Sequence, residues 1–351
     1  MVTPRLGLRP RDPSEAHRVA TPLELFTDLC YVVAVAQAAA SLHHAISGGH
    51  VAHGVTYFVV SFFAIWWAWL NFAWFNSAYD NDDPVHRVLT LLQIFGSLVL
   101  AAGVPRIFAE DFTLAVTGYV IMRVGLVLMW LRAGSGHPER RATIRRYVLG
   151  LIVVQIAWVA FIWVPTDMII PVFLLIALAD FAAPAIAESA GGTPWHPHHI
   201  AERYALFFII MLGETVLSTT VAIQVALDAD EIGPEVILVV VGGVLIVFSV
   251  WWLFFSREAG EVLARNANPF VWGLGHYFIF APGAALGAGL AARIDFYNHH
   301  SEVSDLATSA AVTIPTAVFL LALWAVHIRL HDSSVRTWGP SLVALCALGV
   351  A

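Results

Sequence analysis

HGVTYFVVSFFAIWWAWLNFAWFNSA, residues 53–78, runs for 26 residues without an Asp, Glu, Lys or Arg. At 1.5 Å of rise per residue, a helix of this length crosses the roughly 30 Å of hydrocarbon in a bilayer. Reading outward from it, further apolar blocks with polar breaks predict spans at 20–45, 86–104, 112–133, 145–165, 168–188, 200–226, 235–256, 270–291 and 306–328. An eleventh begins at 340 and runs to 351. The whole chain is 59% hydrophobic and 12% charged over 351 residues, with a mean hydropathy of +0.76. A soluble domain is about half apolar and a quarter charged. The fold class is therefore an all-α polytopic membrane protein, which excludes a soluble enzyme, a nucleic-acid binder and a disordered tail.

All 18 basic residues are arginine, and they are unevenly spread. With the N-terminus cytoplasmic, fifteen of them, from Arg5 to Arg336, fall on inner segments, and only Arg106 and Arg293 fall outside. That bias obeys the positive-inside rule and predicts a multi-pass membrane protein with its N-terminus cytoplasmic. Residues 1–19 are polar and precede the first apolar block, so the first span is expected to serve as the membrane address in place of a cleaved signal. Trp66, Trp67, Trp69 and Trp74 spread through one span instead of banding at an interface, which predicts packing against helices or lipid. Cys30 and Cys346 lie in apolar segments and are read as small hydrophobes.

One internal offset, 185 residues, recurs. It pairs Trp66-Trp67 with Trp251-Trp252, the loop Asn81–Pro84 with Asn266–Pro269, and His17-Arg18 with Glu202-Arg203. Phe26-Thr27-Asp28 falls within one residue of matching Leu212-Gly213-Glu214. The spacing predicts two parallel six-helix repeats, residues 20–190 and 191–351, with about eleven spans present and the second repeat incomplete. Parallel halves would place a pore or substrate site along their shared axis.

Charges at bilayer depth cost on the order of 2.5–3.5 kcal/mol and by default mark function. Glu24 and Asp28 sit four apart on one face of the first span, Asp28 the deeper. The pair reads as a proton or cation site, or as anchors tied to an arginine such as Arg18. Glu214 is mid-span on one stripe with Arg203, roughly 16 Å away along the axis and so too far for an ion pair. Arg123, mid-span and permanently charged, needs an acid: Asp180, Asp28 or Glu214. His276 precedes the small-residue run Gly283–Gly289, which predicts a close helix crossing. His196-Pro-His198-His199 lacks metal-ligand spacing, so no metal or cofactor is expected.

Leu23-Glu24-Leu25-Phe26-Thr27-Asp28-Leu29, followed by Val-Val-Ala-Val-Ala-Gln37, resembles the opening signature of the bacterial low temperature requirement protein A family. His199-x-x-Glu202-Arg203-x-x-Leu206-Phe207, ending in Leu212-Gly213-Glu214, is similar to its second signature. Thr27 stands where the family usually has Phe. The resemblance implies a bacterial polytopic fold and flags Glu24, Asp28, Glu202, Arg203 and Glu214 as signature positions. Phe26-Thr27-Asp28 is also similar to potassium channels whose first helix begins Phe-Ser-Asp-Gly, with Leu29 in place of the glycine. The first expectation is a proton-coupled transporter in which Asp28 and Glu214 occupy equivalent places in the two halves. A cation channel, an intramembrane enzyme acting on a lipid or prenyl substrate, and a non-catalytic sensor or scaffold are the alternatives. The expected partners are membrane lipid and a small solute, cation or lipid substrate.

Overall fold

The computed structural model describes residues 7–15, 18–228, 233–265 and 269–328. Among them all regular structure is helical: α1 (Pro22–Ser47), α2 (Val51–Tyr79), α3 (Pro84–Ile107), α4 (Thr113–Gly136), α5 (Arg141–Ala160), α6 (Ile169–Glu188), α7 (Pro197–Asp228), α8 (Pro234–Phe255), α9 (Ala259–Arg265), α10 (Pro269–Gly275), α11 (Tyr277–Tyr297) and α12 (Asp305–Leu323). Ten segments of the described chain are long and apolar enough to cross a membrane. Each overlaps one of the ten predicted spans, with boundaries that differ by up to seven residues, as at the start of the span Pro138–Trp163. The predicted eleventh span, Cys346, and the matched segments at His17 and 266–268 lie outside the described residues. The predicted span 270–291 is interrupted: α10 ends at Gly275 and α11 restarts after His276.

Helix starts follow local chemistry. Pro84 occupies the first turn of α3, where its missing N–H costs nothing, and the Asp83 side chain caps the turn by accepting from the His86 N–H. Ser304 caps α12 in the same way through the Ala307 N–H.

The chain forms two compact units, which cut across the sequence halves. The first comprises Met1–Ala34 and Ala64–Arg203, the second Val35–Phe63 and Tyr204–Ala351. In the first unit α3 and α4 pack almost backbone to backbone. A Cβ added to Gly118 would lie 2.5 Å from the Leu100 nitrogen, and one on Gly103 would lie 2.6 Å from the Ala115 nitrogen. Between helices in lipid there is little hydrophobic drive, so close backbone approach and buried polar pairs hold the bundle. Leu8, fully buried beside Phe72, Phe75 and Trp130, fastens the N-terminal segment, and its N–H donates to the Arg132 carbonyl at 3.1 Å. Trp66, Trp67 and Trp69 are all buried, as their scatter along one span predicted.

In the second unit the small-residue run of α11 makes the expected close crossings. Gly289 abuts the backbone of Ala311 on α12, while Gly287 abuts Thr215 on α7. Asp295 on α11 accepts from Ser47 and bonds His43, each at 2.7 Å, which ties the end of α1 to this unit.

Candidate functional site

The first turn of α1 reads Thr21-Pro22-Leu23-Glu24. It forms a capping box: the Thr21 N–H donates to Glu24 Oε2 at 2.9 Å and the Glu24 N–H to Thr21 Oγ1 at 3.3 Å. The box orients Glu24, and one turn further along the same face stands Asp28. Beside them, α7 presents His199 and Arg203 with the same four-residue spacing. The result is a ladder of two rungs. His199 Nε2 lies 3.3 Å from each Glu24 oxygen and is in hydrogen-bonding geometry with Oε2. Arg203 Nη2 donates to Asp28 Oδ1 at 2.5 Å. Since both rungs advance in the same sense, α1 and α7 run parallel here.

All four side chains are at most 1% exposed. Trp69 Nε1 also donates to Asp28 Oδ1, at 2.7 Å. That oxygen therefore carries both bonds, while Asp28 Oδ2 is buried with no hydrogen-bond partner among the described residues. Glu24 Oε1, His199 Nδ1, and Arg203 Nε and Nη1 are in the same position. Arg18, also buried, feels the charge of Glu24 and, among the described residues, donates to the Asn76 carbonyl at 2.7 Å. Burial pulls its guanidinium below the ordinary value, Arg11 adds to that, and Glu24 opposes it. His86, 3.4 Å from Asp80, completes the buried cluster and also lies within reach of the Glu24 charge.

Unpartnered polar atoms in a buried site require an explanation. Here they include acids and bases side by side, the equipment needed to accept and release a proton. Protonating Asp28 would cancel its charge and leave Arg203 in excess, so one proton changes the charge balance of the whole ladder.

The remaining predicted residues fall elsewhere. Arg123 and Asp180 form a second buried pair at 3.1 Å, as one reading of the sequence required. Trp158 Nε1 donates to the same acid at 2.9 Å, and Arg123 also donates to the Tyr119 hydroxyl at 3.1 Å while lying over its ring. The anchoring of Glu24 and Asp28 to Arg18 is not observed: Glu24 meets His199 and Asp28 meets Arg203, both on α7, while Arg18 donates to the Asn76 carbonyl near the end of α2. Arg203, too far along its own helix to reach Glu214, is taken up by Asp28. Glu214 lies in the second unit, half-buried, with no hydrogen bond or ion pair among the described residues. His276 is fully buried, and its Nε2 meets His327 Nε2 at 2.8 Å while its Nδ1 meets the Trp272 carbonyl at 2.9 Å. Glu202 accepts from the Ala20 N–H at 3.1 Å. No group of three or more metal-ligating side chains occurs among the described residues.

Sequence reasoning missed Trp69, the role of His199, and the partner His327. The capping box at Thr21 was visible as a Thr-x-x-Glu spacing, and His199 as a position on the same helix face as Arg203; Trp69 and His327 carried no local signal of their partners.

Comparison with known proteins gives the family. Residues 19–351 match the bacterial low temperature requirement A protein (LtrA) family, and the chain belongs to it. It is 28% identical over 259 residues to an uncharacterized protein of Rhizobium meliloti (strain 1021). The match covers 70% of this chain and 61% of that relative, so the chain spans about three fifths of the length of the curated relative it matches. No solved structure matches.

Proposed function

We propose that this LtrA-family membrane protein is a proton-coupled transporter of the bacterial inner membrane, with its N-terminus cytoplasmic. The carboxylates of Glu24 and Asp28, set against His199 and Arg203, bind and release the proton that accompanies solute movement. One observation carries this reading: Asp28 engages its partners through Oδ1 alone and keeps Oδ2 buried and unpartnered. A carboxylate that only held two helices together would place donors on both oxygens, because each uncompensated oxygen costs free energy in a dry interior.

The two parallel repeats belong to the same proposal. The parallel run of α1 and α7 supports them. So does the start of α3 at Pro84 and of α10 at Pro269, separated by the offset already found in the sequence. The glycine-tight contacts of α3 with α4 and of α11 with α12 agree. The cytoplasmic N-terminus rests on the arginine bias.

The test uses the purified protein in sealed vesicles that hold a pH-sensitive dye, with candidate solutes added outside. Solute-dependent proton entry that is lost in Asp28→Asn and Glu24→Gln supports the proposal. Glu214→Gln is read in parallel to learn whether the acid of the second unit takes part. Solute movement with no proton signal, or a proton signal unchanged in both α1 variants, overturns it.

A further inference from the structure

Three helices of the first unit open alike. α1, α3 and α7 each carry a proline at the first position, Pro22, Pro84 and Pro197, where no N–H is needed. Two residues on, each presents a titratable side chain: Glu24, His86 and His199. α1 and α7 run parallel and α2 reverses the chain before α3, so the three groups come to one end of the unit at similar depth. Glu24 stands 3.3 Å from His199, and its charge also acts on His86.

The transport reading gives tasks to Glu24 and His199 but none to His86. Its side chain is 1% exposed, and neither ring nitrogen has a hydrogen-bond partner among the described residues. A histidine kept only to brace a carboxylate would spend a ring nitrogen on a hydrogen bond, because a bare polar atom is costly in a dry interior. Four charged groups among the described residues act on it. Asp80, just past the end of α2, has Oδ1 3.4 Å from His86 Nε2; Asp83 caps the same helix; Glu24 comes from α1 and Arg132 from α4. Arg132 pairs with Asp83 at 2.9 Å. The acids are graded in depth: the side chain of Asp83 is 31% exposed, that of Asp80 7% and that of Glu24 1%. His86 therefore faces acids that lead from the surface to the interior.

We infer that His86 is the residue through which protons enter the site, drawn from the acidic turn Asp80–Asp83 and passed to Glu24. This rests on the proton-binding role proposed above for Glu24 and Asp28. Exposed Asp82 and Asp83 concentrate protons at the mouth. With Nδ1 protonated, His86 takes a proton from Asp80 at Nε2 and releases the Nδ1 proton, directly or through water, to Glu24 Oε1, which has no hydrogen-bond partner among the described residues. The ring begins and ends neutral, as its two tautomers. Asp80 is left ionised as Glu24 becomes neutral, so charge and protons balance.

The experiment is time-resolved infrared spectroscopy of the full chain in nanodiscs after a drop in pH, with no solute present. The protonated-carboxyl band is assigned by its loss in Glu24→Gln and Asp28→Asn. In His86→Gln that band is expected to reach its wild-type amplitude about a hundredfold more slowly, the lower end of what a positioned proton-transfer group supplies. Asp80→Asn, which removes the donor and leaves the ring, is expected to slow it likewise and carries the test if His86→Gln does not fold. A purely structural His86 would alter amplitude or stability and leave the rate alone. A band that rises as fast in these variants as in the wild type, or no band in the wild type, overturns the inference. Slowing in the variants without solute-dependent proton entry in the vesicle assay upholds the entry route and overturns the transport reading alone.

Discussion

Breaking the Asp28–Arg203 rung should cost far more than removing it. Both residues are 0% exposed and their charged atoms are 2.5 Å apart, so truncating either one strands a charge in a dry interior. Removal of one member of a buried pair costs about 3–5 kcal/mol. Asp28→Leu and Arg203→Leu are each expected to lose that amount. In the double variant neither charge of the rung remains. What persists is the Trp69 N–H, which has lost its acceptor at Asp28 and is penalised by about 1–3 kcal/mol. The double variant is therefore expected to be about 1–3 kcal/mol less stable than the wild type, against about 6–10 if the two losses simply added. Reversible unfolding in mixed micelles titrated with dodecyl sulfate, followed by helix circular dichroism, measures all four corners of the cycle. Additive losses, or single variants within 1 kcal/mol of the wild type, would refute the view of the rung as one desolvated unit.

Other perturbations test the supports of the site. Thr21→Ala removes half of the capping box and is expected to destabilise α1 by about 1 kcal/mol in the same assay, while Thr21→Ser restores it. Gly118→Leu places side-chain atoms where the backbone of Leu100 already lies and should prevent α3 and α4 from docking. Loss of the folded species on size exclusion reads that outcome; a normally folded variant would contradict the backbone-to-backbone crossing. Burial pushes the Asp83 carboxyl up, but hydrogen bonds from Arg132 and the His86 N–H outweigh it, leaving the group below its ordinary 3.8. Its contribution is therefore complete above about pH 3.8 and fades as pH falls through the lower folded value. Asp83→Asn keeps the helix cap and loses the ion pair, so its acid limb of stability should be flatter than that of the wild type.

How much of this was legible follows from what is local. Ten spans could be read because an unbroken apolar run of bilayer length needs no partner to declare itself. The pairing of Arg123 with Asp180 was legible as one of three choices, since a permanently charged guanidinium at depth must meet an acid. The ladder was only half legible. Glu24 with Asp28 and His199 with Arg203 each share a face of one helix, which periodicity gives. That the two faces meet depends on the packing of helices 175 residues apart, which periodicity does not encode. His276 looked solitary for the same reason: its partner, His327, lies 51 residues away at the far end of another predicted span.

The two buried arginine pairs of the first unit show what separates holding from moving. Asp180 receives Arg123 at both oxygens and Trp158 at Oδ2, so neither lone-pair side faces an empty interior. The pair works as a clasp between α4 and α6. Asp28 also has an arginine and a tryptophan, yet both converge on Oδ1. The residues are of the same kinds; the distribution of donors differs. A proton arriving at Oδ2 of Asp28 satisfies a buried oxygen without displacing either existing donor. On this ground the transport proposal rests on Asp28, with Asp180 left to hold the bundle. Asp180→Asn should consequently impair stability without altering the proton signal of whatever fraction folds, and Asp28→Asn should abolish the signal even in the folded fraction.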